Sequence, residues 1–135
     1  MQILKRLGLL ILPAMILIAC EEDAFDDIGT ETRDEFLGSW NVLETAGLNH
    51  PQNYTVEIVA GSDDNEIVFR GLYNISGLAV NASVYGANIE IEQQSLQGYT
   101  IQGNGQANSD FDQLNLNFTV NDGGSTDEVE AVLTR

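Results

Sequence analysis

From residue 36 onward, apolar and polar side chains alternate with a period of two. "YTVEIVA" sets Tyr54, Val56 and Ile58 against Thr55 and Glu57. "LAVNASV" sets Leu78, Val80, Ala82 and Val84 against Asn81 and Ser83. "YTIQGNGQA" sets Tyr99, Ile101, Gly103, Gly105 and Ala107 against Thr100, Gln102, Asn104 and Gln106. "QLNLNFTVN" is the most regular, with Leu114, Leu116, Phe118 and Val120 on one side. "SWNVLET", "EIVFR", "NIEI" and "EVEAVLTR" bring the candidate strands to eight. Such alternation gives each strand one buried face and one wet face. Between the strands lie clusters of Gly, Asn, Asp and Ser at 61–65, 85–88, 108–112 and 121–127, the residue types that build tight turns. After the first two dozen residues, helical spacing is confined to a single turn at Thr32 to Phe36, capped by Thr30 or Thr32.

Short turns make neighbours in sequence neighbours in space, running antiparallel. Eight strands with one apolar face each can bury it in two ways: a sheet closed on itself, which is an eight-stranded up-and-down β-barrel, or two sheets packed as a β-sandwich. An eight-stranded barrel has an interior that side chains just fill, or that holds one small ligand. The inward positions are mostly Val, Ile, Leu and Phe, which favours filling. Gly103 and Gly105 remove volume from one wall, yet glycines in a strand equally serve strong coiling or the close approach of a bulky neighbour. If a cavity forms, its candidate lining is Tyr54, Phe69, Tyr99, Gly103, Gly105 and Phe118, suited to a small hydrophobic molecule.

The first residues are of another kind. Lys5 and Arg6 precede an apolar run from Leu7 to Ala19, which as a helix would reach roughly 20 Å. That falls short of the about 30 Å hydrocarbon core of a bilayer. A basic start, a short apolar middle and a small residue before the break fit a secretory signal peptide, residues 1–19. Removing it takes away two of the five cations and none of the 21 acids, so Arg33, Arg70 and Arg135 then stand against 21 acids, a net charge of −18. Such a surface repels nucleic acid and anionic headgroups, keeps the domain soluble and favours cationic partners. Residues 20–35 begin with Cys20, the chain's one cysteine, and are acidic with few apolar residues; they form a flexible tether with a reach of roughly 50 Å. A single thiol in an exported chain has no disulfide partner within it.

Leu17-Ile18-Ala19-Cys20 resembles the lipobox of bacterial lipoproteins. That resemblance implies cleavage before Cys20 and acylation of its thiol with chains of the palmitate type. Two or three such chains make a stable membrane anchor where one holds only marginally. The acids directly behind Cys20 resemble the surface-export signal of Bacteroidota-type lipoproteins, which would set the side of the outer membrane; a solvated linker is the equal alternative. "FLGSW" contains Gly38-x-Trp40 after a helical turn and before a strand, and resembles the entry signature of lipocalins. In that family the tryptophan plugs one end of the barrel and a cation near the last strand packs across its ring, a role that falls here to Arg135. The roughly 100 residues of the domain, 36–135, are fewer than in the larger lipocalins and lack their long C-terminal helix. The similarity is to the compact lipocalin-like domains of bacterial lipoproteins.

Catalytic chemistry has little material. His50 is the lone histidine and lies in a loop before Pro51. No cofactor motif, no metal-ligand spacing of His and Cys, and no serine with a nearby base occurs in the sequence. Glu90 and Glu92 share an outward strand face. The Asp-rich turns offer oxygen ligands of the kind calcium takes, without matching a twelve-residue calcium loop. The expectation is a non-enzymatic outer-membrane lipoprotein, periplasmic or at the cell surface, that binds a small apolar ligand. The alternative is a protein-interaction or inhibitor module of a surface complex with no internal ligand.

Overall fold

The computed structural model describes residues 32–135, and the signal, Cys20 and the first part of the tether lie outside the described residues. Eight strands run β1 (Gly38–Ala46), β2 (Gln52–Ala60), β3 (Glu66–Arg70), β4 (Ala79–Tyr85), β5 (Asn88–Leu96), β6 (Tyr99–Ala107), β7 (Gln113–Asn121) and β8 (Thr126–Thr134). Each pairs antiparallel with its neighbour in sequence. β8 then returns to β1, with Val42 opposite Leu133, so the sheet closes into an up-and-down barrel and the sandwich is excluded.

Register puts the apolar phase of every strand inside. Val56 and Ile58, Ile67 and Phe69, Val80 and Val84, Ile89 and Ile91, Leu114 to Val120 in alternation, and Leu133 are each at most 2% exposed. Removing such side chains from water is worth about 1.5–3 kcal/mol apiece, before the entropy of ordering them is subtracted. Closure leaves no free edge strand among the described residues.

β5 is longer than the sequence pattern of "NIEI" predicts. A bulge between Ile91 and Gln94 places Glu92 and Gln93 both outside, which breaks the alternation, and pairing with β6 resumes through Leu96. Its ladder to β4 runs only from Ser83↔Glu90 to Tyr85↔Asn88. Beyond the bulge the Gln94 amide bridges the gap: its Nε2 donates to the Asn81 carbonyl at 2.9 Å and its Oε1 accepts from the Asn81 N–H at 3.0 Å. A side chain thus completes the ladder where the backbones diverge.

Gly103 and Gly105 explain how β6 curves. A Cβ on Gly103 would lie 2.6 Å from Phe118 Cβ, and one on Gly105 would lie 2.8 Å from the Asn115 carbonyl. Only glycine lets β7 come this close, so the two residues shape the wall.

Candidate functional site

The two ends of the barrel are closed by different devices. At the entry end, residues 32–35 form a helical turn whose Arg33 guanidinium reaches the carbonyls of Asp63 and Glu66, both at 3.2 Å. The chain then passes Phe36, which is fully buried, and turns at Gly38 with φ +123°, a conformation that residues with a Cβ rarely adopt. Trp40 follows on β1, 1% exposed, and its indole N–H donates to the Phe36 carbonyl at 2.8 Å. The Arg135 guanidinium lies 4.1 Å from the Trp40 ring centroid. It also donates to the Leu37 carbonyl at 2.8 Å, to the Phe111 carbonyl at 2.8 and 3.1 Å, and to the Glu35 carbonyl. Phe111 packs edge-on against Phe36, with centroids 5.2 Å apart. Gly38, Trp40 and Arg135 therefore meet at one place, as parts of a seal in which a cation over an indole contributes about 0.5–2 kcal/mol.

The far end carries a polar cluster. Glu44 lies on β1 in the inward phase after Trp40 and Val42, and is fully buried. Its carboxylate accepts from the Tyr54 hydroxyl at 2.7 Å and from Gln52 Nε2 at 3.2 Å. The Tyr54 oxygen in turn accepts from the backbone N–H of Tyr73 at 3.0 Å. Tyr73 belongs to the β3–β4 connection, and its hydroxyl donates to Asp127 Oδ2 at 2.6 Å. Asp127, on β8 and 5% exposed, also accepts from the Leu48 N–H at 2.9 Å. Asn74 Nδ2 donates to Gln52 Oε1 at 3.1 Å. Two buried carboxylates are thereby satisfied by neutral donors from three segments of chain, which spares them the desolvation penalty of an unpartnered group.

Both phenols hold their protons above the ordinary value for tyrosine. For Tyr54 burial is the main cause, reinforced by the Glu44 carboxylate; for Tyr73 it is again burial, then the hydrogen bond to Asp127. The unfolded chain ionises from about pH 10, whereas the folded chain keeps these protons to higher pH. Stability is then present below pH 10 and lost as pH rises above it. The Tyr54 contribution is expected to fall by about 1.4 kcal/mol per pH unit. Urea unfolding at pH 9 to 11.5 measures this loss, and Tyr54→Phe should flatten it.

The residues singled out from the sequence as a possible cavity lining are spread through the barrel. Phe69 and Phe118 belong to the packed core. Gly103 and Gly105 stand mid-wall, opposite Phe118 and Leu116. Tyr54 and Tyr99 are half-buried at the far end, where Tyr73 stands edge-on to Tyr99. Glu44 and Asp127 have a sequence signal in hindsight, because each occupies the inward phase of an otherwise apolar face. Tyr73 has none, since it sits in a connection without periodicity.

Among the described residues, open concavities of about 640, 580 and 340 Å³ lie on the outer surface. The first crosses β5 to β8 and is bounded by Glu90, Glu92, Glu128 and Glu130. The Asp-rich turns are closed on themselves: Asp122 Oδ1 accepts from the Gly124 and Ser125 N–H groups, and Glu66 Oε1 accepts from Ser62 and Asp63. Those bonds hold both carboxyls below the usual range, through the Gly124 N–H first at Asp122 and the Ser62 hydroxyl first at Glu66. Among the described residues, no three His, Cys, Asp or Glu side chains are grouped to hold a metal ion. No family model matches the chain, and no curated protein matches it significantly.

Proposed function

We propose that the protein is a bacterial outer-membrane lipoprotein, anchored through acylated Cys20, whose barrel is a non-enzymatic interaction module that engages a surface protein with its exterior. The observation that supports this reading is the filling of the interior. Apolar side chains dominate the inward phase of all eight strands, with Glu44 and Asp127 the acids among them, Trp40 and Arg135 seal the entry end, and Tyr73 closes the far end. The concavities open outward, and the loops at 47–51, 71–78, 97–98 and 122–125 sit opposite the end where the tether enters. On the first of these loops Leu48 is 75% exposed. With a net charge of −18 after signal removal, the exterior complements a basic partner.

The second reading is a small apolar ligand inside the barrel. It is favoured by the half-buried Tyr54, Tyr73 and Tyr99 at the far end, a mixed polar and apolar lining of the kind ligand sites use. Titration of the purified protein with a long-chain fatty acid, followed by calorimetry, separates the two. The first reading expects no saturable heat; binding of one molecule per chain would replace it with the second. The anchor is tested independently. Cys20→Ser is expected to move the protein from the membrane to the soluble fraction in detergent-free fractionation, and retention equal to the parent's would contradict the acylation.

A further inference from the structure

The far end is closed by a ring from a connection, not from a strand. Tyr73 stands edge-on to Tyr99 and Phe118, with centroids 6.4 and 6.3 Å away, and its hydroxyl donates to the nearly buried Asp127. Leu72 and Leu78, both fully buried, pin the two sides of the segment. Between them Tyr73 and Asn74 hold φ of 61° and 59°, a left-handed pair sparsely populated by residues with a Cβ. Gly77, at φ 79°, supplies a pivot before Leu78.

We propose that Tyr73 is a built-in occupant of a phenol-binding slot, and that an external phenolic ring takes its place between Tyr99, Phe118 and Asp127. The occupant defines the ligand. A flat ring meets two aromatic edges, and a hydroxyl donor meets a carboxylate acceptor that is otherwise bonded to the Leu48 N–H. An alkyl chain lacks the donor, and an acid meets Asp127 and Glu44 with like charge. The ring can belong to a free phenol or to a tyrosine side chain of a partner protein. Internal occupancy lowers the apparent affinity by the fraction of molecules in which Tyr73 is seated. The phenolic probes below test the slot separately from the surface-interaction reading.

The test is an NMR titration of the purified protein and of Tyr73→Phe, which keeps the ring and removes its bond to Asp127. The probes are p-cresol, toluene and the tripeptide Gly-Tyr-Gly. p-Cresol should shift the signals of Leu48, Tyr73, Asn74 and Asp127 saturably in the parent, and bind Tyr73→Phe about tenfold more tightly. Toluene should leave these signals in place. Tighter binding of the tripeptide than of p-cresol supports the slot with a partner's tyrosine as its source; tighter p-cresol supports it with a free phenol. Equal shifts from toluene, or a parent that stays silent while Tyr73→Phe binds, would overturn the proposal, as would silence in both proteins.

Discussion

Trp40→Ala is expected to lower the unfolding free energy by about 3–5 kcal/mol, measured by urea denaturation at neutral pH. The indole is 1% exposed, so its removal forfeits the whole transfer term and leaves a cavity at the entry end. The Phe36 carbonyl loses its donor, and the Arg135 guanidinium loses the ring beneath it. Trp40→Phe keeps most of the volume and should cost clearly less. A loss below about 1 kcal/mol for the alanine variant would mean that the ring does not carry the seal.

Glu44→Ala is expected to cost about 2–5 kcal/mol, although it removes only one carboxylate. Two donors, the Tyr54 hydroxyl and Gln52 Nε2, would be left facing a cavity with no acceptor. An unsatisfied buried donor costs about 1–3 kcal/mol; these two are half-buried, and the cavity left by the fully buried carboxylate adds to their loss. Tyr54 also accepts from the Tyr73 N–H, so the loss should spread to the β3–β4 connection. A double-mutant cycle with Tyr54→Phe isolates the shared part: the two substitutions together should cost less than their sum, because each removes the other's partner. Strict additivity would mean that the two groups are satisfied separately.

Strand phase was legible in the sequence wherever alternation ran unbroken. "QLNLNFTVN" places Leu114, Leu116, Phe118 and Val120 inside with no competing pattern, and the structure buries all four. Barrel closure was less direct, because eight half-buried strands also suit a sandwich; the β1–β8 register decides it. The second half of β5 was hidden by its bulge, which sets two polar residues side by side on the outer face. The far-end cluster was hidden for another reason. Glu44 and Asp127 are acids at inward positions, and a period-two pattern marks the position without saying that a buried acid will find donors. Those donors come from β2, from the 47–51 loop and from the 71–78 connection, far apart in the chain and joined only by the closed fold. The left-handed backbone at Tyr73 has no signature in composition, since tyrosine is not a residue that asks for it.

The entry seal and the far-end stopper give the same functional direction. On the proposed reading, a barrel filled from within uses its exterior and its rim for recognition, and residues 32–35 enter at the opposite end from the rim that carries Leu48 and Tyr73. The most direct measurement of that filled interior is diffraction from a crystal of the protein pressurised with xenon, which enters dry apolar voids. The account predicts no xenon peak within the ring of strands between Trp40 and Tyr73. An ordered xenon atom there would contradict it and favour the reading of an internal ligand.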